Sequence, residues 1–315
     1  MTTIFPTSYK AIVATLALFA IILMAGFSDR SESEQLLVVS VEPSVAVATT
    51  SFPQVTIEAR AAYVYDMLSG AALYEKESEL QLPLASLTKV MSAYTAATLL
   101  PPYMLVRVSA SDVREEGDSG LRVGEEWNIQ KLLDFSLITS SNDGMAAIAS
   151  SAGTRIAARE GSRPEKLFVE RMNTLAYELG LTQTYFLNQS GLDESATLSG
   201  GYGSAKDMAI LFERILRENP RLLEATSHER YDIASKHVLH DAENTNKIID
   251  AIPRVLASKT GYTDLSGGNL VVAFDAGIGH PIIVAVLGSS FSGRFDDMKT
   301  LVDATLEYLS SKTAE

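Results

Sequence analysis

Strand-forming segments lie at the two ends of this sequence, and helix-forming segments lie between them. Two short strand-like stretches joined by Met67–Gly70 predict a hairpin near the start. Three more follow near the end, separated by turns that contain glycine. Tight turns join neighbouring strands, so the pattern predicts one antiparallel sheet built from both chain ends. The five predicted strands are Ala61–Asp66, Ala71–Lys76, Val255–Thr260, Asn269–Asp275 and Pro281–Leu287.

The middle of the chain repeats apolar residues at spacings of three and four, which predicts helices. Asn128 can cap a helix that runs to Leu137, and Ser204 has the form of a capping-box serine. With the sheet, these segments predict an α+β fold in which helices flank about five strands and a mostly helical lobe is inserted. The other predicted helices are a run from Ser86 to Leu100, Asp143–Ser151, Pro164–Leu179, Lys206–Arg217 and Asp296–Leu309.

An apolar segment follows Lys10 near the N-terminus. Ala11–Phe27 contains seventeen uncharged residues, and charged residues follow from Asp29. At about 1.5 Å per residue, such a helix is roughly 26 Å long, barely enough to cross a hydrocarbon core of about 30 Å. We expect residues 1–30 to be a cleaved secretory signal or a retained membrane anchor. Either places the remaining chain in the periplasm or at the extracytoplasmic face of the cell membrane.

Residues 31–54 are polar and then rich in small residues, which predicts a linker. The folded domain is expected to span residues 55–315. Membrane contact is expected only through residues 11–27, if they are retained.

The composition excludes several classes of function. A net charge of −13 opposes nucleic-acid binding, which needs a basic surface. The chain has no cysteine, which rules out thiol catalysis, disulfides and cysteine-ligated zinc. The four histidines lack metal-site spacing and are expected in loops and on the surface: His228, His237, His240 and His280.

Ser86 and Lys89 form the most reactive pairing that the sequence offers. Pro83 stands just ahead, and the apolar run beyond Lys89 stops at Pro101, so a helix is expected to begin close to Ser86. Residues three apart share a helix face, so the lysine amine can reach the serine hydroxyl. A serine becomes a nucleophile when a neighbour removes its proton. The alternative is a capping serine with a surface lysine.

Polar residues are also expected where the sheet and the helical lobe meet. Ser140 and Asn142 lie on the loop between two predicted helices, where both can face a cleft or can simply cap a helix. Lys259 and Thr260 lie at the predicted end of a strand, where a cation and a hydroxyl can hold an anionic group.

Two further residues complete this predicted region. Gly261 would let a backbone approach closely. Arg294, near the start of the last helix, can clamp a carboxylate at two points. Taken alone, each of these stretches is better explained as a helix cap, an ordinary turn or a surface residue.

Taken together, the three motifs Ser-x-x-Lys, Ser-x-Asn and Lys-Thr-Gly resemble the penicillin-binding protein and serine β-lactamase superfamily. The chain is most similar to the low-molecular-mass D-alanyl-D-alanine carboxypeptidases, and the resemblance covers Ala61 to Leu309. The segments that carry it are Pro83–Ala96, Leu132–Ala147, Met172–Asp193, Asn244–Asn246 and Ser258–Leu270.

This resemblance implies an acyl transfer without metal or cofactor. Ser86 would be acylated with Lys89 as its general base, whose pKa burial and the Lys259 cation should lower. Ser140 would relay the proton to the leaving amine, and Asn142 would orient the peptide. The substrate would be a peptidoglycan stem peptide ending in D-Ala-D-Ala, and β-lactams would be covalent inhibitors.

The same resemblance assigns the remaining site residues. Lys259 would tune Ser140, and Thr260 and Arg294 would receive the terminal carboxylate. The backbone N–H groups of Ser86 and Tyr262 would bind the oxyanion.

Two features depart from the usual pattern of this family. Ser141 stands where many members carry glycine, and we expect a slight shift of the loop. Typical members continue into a β-rich C-terminal domain and an amphipathic anchor, which we do not expect here. This shortened architecture also resembles DD-endopeptidases, so endopeptidase activity is the nearest alternative.

Three more distant alternatives fit the sequence less well. A class A β-lactamase needs a Glu-x-x-Leu-Asn loop, which Glu194 does not fit. A trypsin-like protease is suggested by Gly117–Gly120, but it needs an upstream histidine and the first one here is His228. A non-catalytic wall-binding module would not need Lys89.

Overall fold

A computed structural model describes residues 51–117, 119–157 and 163–313 of the 315-residue chain. The predicted targeting segment and most of the predicted linker lie outside the described residues. The described residues belong to one unit, delimited at residues 50–315. Phe52 falls inside the predicted linker, yet its ring packs 5.5 Å from Tyr74 and 5.6 Å from Tyr308. Phe52 therefore already packs against the folded domain, three residues before its predicted start at residue 55.

The predicted sheet of five antiparallel strands is confirmed, and it joins the two ends of the domain. Its order is β10-β11-β12-β1-β2, so the late strand β12 pairs with the early strand β1. The strands are β1 (Ala61–Asp66), β2 (Ala71–Lys76), β3 (Leu82–Pro83), β4 (Leu105–Arg107), β5 (Glu126–Asn128), β6 (Tyr185–Phe186), β7 (Gly201–Gly203), β8 (Arg230–Ala234), β9 (Leu239–Glu243), β10 (Val255–Thr263), β11 (Gly267–Asp275) and β12 (Pro281–Ser289). β3, β6 and β7 form a second small sheet, and β4–β5 and β8–β9 are separate pairs.

Both faces of the central sheet are buried except at the edge strand β2, and the buried strands are accordingly almost continuously apolar. Alternate side chains point to opposite faces. Val271 and Ile283 pack with the helical lobe, whereas their neighbours Val272 and Ile282 pack with the C-terminal helix. The sheet therefore separates two apolar layers, one on each side.

The predicted helices are present, most with bounds shifted by a few residues. They are α1 (Thr88–Leu99), α2 (Ile129–Ile138), α3 (Asn142–Ile156), α4 (Pro164–Glu178), α5 (Ala205–Glu218) and α6 (Gly293–Thr313). Asn128 caps α2, because its side chain accepts the N–H groups of Gln130 and Lys131. Ser204 caps α5 by accepting the N–H of Asp207 at 3.0 Å. None of the helices in the described part of the chain is long and apolar enough to span a membrane.

The β8–β9 hairpin was not predicted from the sequence. Most of its side chains are exposed, so it lacks the apolar runs that mark the central strands. His240 of β9 anchors it to the lobe: its Nε2 lies 2.6 Å from Glu125 Oε1, and its ring packs 4.9 Å from Trp127 and 5.3 Å from Phe135. The expectation that the histidines are surface residues is wrong for His240, whose side chain is only 9% exposed.

Gly153 sets the closest approach between α3 and α4. A methyl carbon added at this position would lie 1.9 Å from the carbonyl oxygen of Pro164, the first residue of α4. The only remedy for such a clash is to move one helix backbone. Because α3 begins beside the predicted Ser140 loop, this packing also fixes the lobe that borders the site.

We predict that Gly153→Ala destabilises the protein. Alanine forms helices better than glycine by about 1 kcal/mol, so propensity alone would raise the stability. The clash instead is expected to lower the free energy of unfolding by about 2 kcal/mol, within the range found for overpacked cores. Denaturant unfolding followed by circular dichroism measures the change.

Thr154→Ala provides the matched control, because Thr154 is the next residue of α3 and is exposed. Its free energy of unfolding should change by no more than about 0.5 kcal/mol. A stabilised Gly153→Ala protein would show that α3 and α4 are not in backbone contact.

Candidate active site

Ser86 lies in a short 3-10 turn that precedes α1. The turn spans Ala85–Leu87, so the α-helix begins at Thr88, two residues later than the position of Ser86 suggested. Ala85 has a φ of +48°, in the left-handed region that costs an L-residue about 1–2 kcal/mol. Tight packing holds it there: a Cβ on Gly191 would lie 1.8 Å from the Ala85 carbonyl oxygen.

The sheet also fastens this turn. Asn269 of β11 donates its side-chain amide to the carbonyl oxygens of Pro83 and Leu84, at 3.0 and 3.1 Å. Gly261 of β10 lies against the turn, where a Cβ would be 2.7 Å from Leu84 O and 3.2 Å from Ser86 N. The predicted close backbone approach at Gly261 is thus present, and it brings β10 to the Ser86 backbone N–H.

Lys89 contacts Ser86 as the sequence spacing predicts. Its Nζ lies 2.8 Å from Ser86 Oγ and donates to the carbonyl oxygen of Ser190 at 2.7 Å. The Lys89 side chain is fully buried, which excludes the alternative of a surface lysine. With one amine hydrogen directed at Ser190, the neutral amine can turn its lone pair toward the serine hydroxyl.

Burial lowers the pKa of Lys89 to about 7, because a charged amine is poorly solvated away from water. The negative charge of Glu115 opposes this change and raises the pKa of Lys89. The neutral amine is therefore a substantial fraction of the population near neutral pH. This is the form that can accept the proton of Ser86.

Lys259 is the second buried amine of the site. Its Nζ donates to Ser140 Oγ and to the carbonyl oxygen of Thr260, both at 2.9 Å. Burial holds the pKa of Lys259 well below its usual value, and the neighbouring charges of Lys89 and Arg294 lower it further. The two buried amines repel each other when both are charged, and this repulsion lowers the pKa of Lys259.

Lys259 and Thr260 do not lie at a strand end, as the sequence suggested. β10 continues to Thr263, and residues 258–261 are buried. The strand is longer because its last residues pair with β11, where Thr263 lies opposite Gly267. As the edge strand of the central sheet, β10 carries these side chains into the space between sheet and lobe.

Ser140 and Asn142 flank the residue that caps α3. Ser140 itself has a φ of +62°, so its backbone is in the left-handed region. Ser141 has ordinary extended angles, and its Oγ accepts the N–H of Gly144 at 2.9 Å. The strain of this loop therefore lies at Ser140 rather than at Ser141, and Ser141 supplies the cap.

Asn142 is the first residue of α3. Its amide nitrogen donates to the carbonyl oxygen of Glu116 at 2.6 Å. Its Oδ1 is buried and has no hydrogen-bond partner within residues 51–117, 119–157 and 163–313. The hydrogen bond to Glu116 thus fixes the Asn142 side chain, and its Oδ1 remains an unused acceptor among the described residues.

A cleft of about 500 Å³ opens beside Ser86. Ser86, Ser140, Thr260, Gly261 and Tyr262 line it together with Arg294 and residues that the sequence did not single out. The latter are Glu243, Asn244, Thr245, Lys247, Phe291 and Phe295.

The structure therefore brings most of the predicted site residues to one cavity, with Lys89 and Lys259 buried behind it. The predicted oxyanion donors, the N–H groups of Ser86 and Tyr262, stay a prediction.

Arg294 is held by aromatic rings in this cleft. Its guanidinium carbon lies 4.7 Å from the ring centres of Phe291 and Phe295, close enough for cation–π attraction. Its Nη1 donates to the carbonyl oxygen of Gly261 at 2.7 Å, and only 5% of the residue is exposed. The guanidinium is thus fixed next to Thr260, as binding a carboxylate requires.

Some of the missed cleft residues carried a weak signal. Thr245 belongs to one of the segments that resemble the carboxypeptidases, but no chemistry was attached to it. Phe291 comes three residues before Arg294 in the turn that leads into α6. A lone aromatic residue in a turn gives no sequence pattern that marks a cleft.

The described part of the trypsin-like motif bonds to the loop and helix around Ser141 and Asp143 rather than to a histidine. Ser119 Oγ lies 2.6 Å from Ser141 Oγ and 3.2 Å from Asp143 Oδ2. His228 instead stacks on Tyr231, with ring centres 5.5 Å apart. Asp118 of the motif lies outside the described residues. No group of three His, Asp or Glu side chains that could hold a metal ion occurs in the described part of the chain.

Comparison with solved structures defines the class of fold. The structure superposes on penicillin-binding protein D2 from Listeria monocytogenes, solved in its ampicillin-bound form, with a TM-score of 0.65. Sequence identity is 26%, and the match covers 80% of this chain and 99% of that one. The fold is thus that of the penicillin-binding DD-peptidases.

Sequence comparison then defines the family. The profile of the D-alanyl-D-alanine carboxypeptidase family matches residues 46–290, and the chain belongs to this family. D-alanyl-D-alanine carboxypeptidase DacF from Bacillus subtilis is 32% identical over 212 residues, which cover 65% of this chain. The match spans 51% of DacF, so this chain covers about half of that relative's length.

A D-alanyl-D-alanine endopeptidase from Pseudomonas aeruginosa is also similar. It is 26% identical over 243 residues, covering 73% of this chain and 74% of that protein.

We predict that acylation of Ser86 depends on pH through Lys89. The pKa of Lys89 is lowered to about 7, so the reactive neutral amine predominates above that pH and is lost below it. The second-order rate constant for acylation by benzylpenicillin should therefore fall about tenfold per pH unit well below pH 7. Intact-mass spectrometry of timed samples measures it between pH 5 and about pH 9.

Glu115→Gln should shift this profile to lower pH, because it removes the charge that raises the pKa of Lys89. Glu116→Gln is the matched control, since Glu116 is the next residue and its side chain is exposed. A profile with its midpoint near pH 10, or an equal shift in both variants, would contradict the assignment of Lys89 as the base.

Proposed function

We propose that this chain is a serine-type D-Ala-D-Ala carboxypeptidase that trims peptidoglycan stem peptides. The observation that carries the proposal is the contact between Ser86 and Lys89, at 2.8 Å, with the amine fully buried. Membership of the carboxypeptidase family supports the same conclusion. Neither a capping serine nor a binding module needs a buried lysine whose pKa is lowered to about 7.

The geometry supports a two-step acyl transfer. Neutral Lys89 takes the proton of Ser86 Oγ as the oxygen attacks the carbonyl carbon of the penultimate D-alanine. Collapse of the tetrahedral intermediate breaks the peptide bond, and Ser140 relays to the leaving amine the proton that Lys89 took up, so Lys89 is neutral again. Water then gives a proton to Lys89 as it attacks the acyl-enzyme, and Lys89 returns this proton to Ser86 Oγ as the shortened peptide leaves.

Three groups around the cleft serve this reaction. Lys259 holds the Ser140 hydroxyl at 2.9 Å, so the proton relay is fixed before substrate binds. Arg294 and Thr260 receive the terminal carboxylate, which places the scissile bond at Ser86. Asn142, at the start of α3 beside Ser140, would orient the peptide as the family resemblance implies, although its side chain does not line the cleft in this structure.

Endopeptidase activity is the second candidate. The similar Pseudomonas aeruginosa protein named as an endopeptidase favours it. In a cross-linked peptide the leaving amine belongs to a second stem, which is much larger than D-alanine. The exposed rings of Phe291 and Tyr262 line a cleft mouth that would have to accommodate it.

We further propose that the chain works outside the cytoplasm, where peptidoglycan lies. The apolar segment at residues 11–27 supports export. N-terminal sequencing of the protein purified from membrane and periplasmic fractions distinguishes a cleaved signal from a retained anchor. An intact N-terminus on protein found in the cytoplasmic fraction would contradict export.

We predict that the protein releases D-alanine from a tripeptide ending in D-Ala-D-Ala and is acylated by benzylpenicillin. Ser86→Ala should lose both reactions, the hydrolysis by at least about a thousandfold, because the nucleophile is absent. Enzymatic determination of D-alanine and intact mass give the two readouts.

Cross-linked peptidoglycan dimers, tested in parallel, decide between the two peptidase activities. Faster cleavage of the dimers than of the tripeptide would assign the protein as an endopeptidase. Rapid penicillin turnover without an adduct would indicate a β-lactamase. If neither an adduct nor penicillin turnover is observed, the non-catalytic wall-binding module becomes the preferred interpretation.

A further inference from the structure

Two threonine hydroxyls meet at the wall of the cleft. Thr245 Oγ1 and Thr260 Oγ1 lie 2.6 Å apart, and both residues line the cavity beside Ser86. Thr260 is buried, with 4% of its surface exposed. The two residues are 15 positions apart and lie on different elements, so the fold rather than the local sequence pairs them.

The position of Thr245 is fixed from several sides. Asn244 donates its side-chain amide to the carbonyl oxygens of Thr226 and His228, both at 2.9 Å. Its Oδ1 accepts the N–H of Asn246 at 2.8 Å. The segment Asn244–Asn246 is therefore a rigid turn.

The backbone of Thr245 also reaches the helical lobe. Its N–H donates to the carbonyl oxygen of Ile138 at 3.2 Å, two residues before Ser140. Lys259, next to Thr260, donates to Ser140. Thr245 therefore contacts β10 through its side chain and the last residue of α2 through its backbone N–H.

The hydrogen bond between the two hydroxyls can run in either direction, and each direction leaves Thr260 with a different capacity to bind a ligand. Each hydroxyl has one hydrogen to donate, and only one of the two can lie between the oxygens. If Thr260 donates to Thr245, it turns lone pairs toward an incoming carboxylate. If Thr245 donates to Thr260, the hydrogen of Thr260 is free to point into the cleft.

The nearby cations favour the second arrangement once an anion is bound. Arg294 lines the same cleft, with Nη1 on the Gly261 carbonyl. A carboxylate beside this guanidinium needs donors on its remaining lone pairs, and hydrogen bonds to charged groups are the stronger ones. The hydroxyl of Thr260 supplies one only when its single hydrogen is not already donated to Thr245.

We propose that Thr245 is a positioning residue for the substrate's terminal carboxylate, acting by donating its hydroxyl hydrogen to Thr260 Oγ1. The inference deepens the proposed carboxypeptidase function and rests on it. Thr245 does not touch the carboxylate; it fixes the rotation of the Thr260 hydroxyl that does. Its contribution should therefore appear only with ligands that carry a negative charge at this point.

Benzylpenicillin and its methyl ester test this proposal, because they differ only in the ring carboxylate. Acylation rate constants are measured by intact mass for the wild type, Thr245→Val and Thr245→Ser. Valine keeps the shape of threonine but cannot donate, whereas serine keeps the hydroxyl. We expect Thr245→Val to slow the free acid about tenfold and the ester less than twofold. Thr245→Ser should restore the rate for the acid.

Thr174→Val controls for the loss of a threonine hydroxyl elsewhere, because Thr174 lies exposed on α4. Its rates should equal those of the wild type. Thermal unfolding of each variant shows whether any loss comes from a destabilised fold.

Each remaining outcome overturns the proposal. Equal losses with acid and ester would make Thr245 a structural residue, and no loss with either would show that Thr260 orients itself. Failure of the serine variant to recover would exclude the hydroxyl as the cause. A wild-type protein inert to both compounds, and to the D-Ala-D-Ala tripeptide, would instead overturn the proposed function and this inference with it.

Discussion

The burial of two lysine amines between the sheet and the helical lobe is the constraint on which the site depends. Lys89 and Lys259 each bond to a serine hydroxyl and to one backbone carbonyl. Ammonium groups without carboxylate partners are costly to bury, and the cost is reduced when the amine is neutral. Desolvation thereby lowers the pKa of both amines and favours their neutral form, beside the two serines that the proposed reaction uses.

Backbone packing makes this burial possible. Ala85 and Ser140 both have left-handed backbone angles and stand directly before or at a reactive serine. Such angles persist only where the surroundings enforce them. Gly191 and Gly261 permit the necessary contacts, because a side chain at either position would collide with the turn around Ser86. The strained backbone angles of the site thus lie in two short loops, and close packing of the neighbouring residues holds the turn at Ala85 in this conformation.

The sequence predicted the central sheet well because most of its strands are apolar on both faces and short turns join consecutive strands at each chain end. It placed the start of a helix close to Ser86, but a proline and a serine do not distinguish the 3-10 turn at Ala85–Leu87 from the α-helix that begins at Thr88. It missed the exposed β8–β9 hairpin and with it the cleft position of Thr245. The spacing of Ser86 and Lys89 predicted their contact, whereas the 15 positions between Thr245 and Thr260 gave no indication that the two hydroxyls meet.

The aromatic surroundings of Arg294 also bear on how the enzyme would release what it makes. The rings of Phe291 and Phe295 take the place of hydrating water, and Arg294 Nε is buried without a hydrogen-bond partner in the described structure. A guanidinium in this state gains more from an anion than a hydrated one does. Under the proposed reaction, the departing D-alanine keeps the carboxylate by which the substrate entered. Product and substrate then compete for the same guanidinium group. Accumulated D-alanine would therefore inhibit turnover.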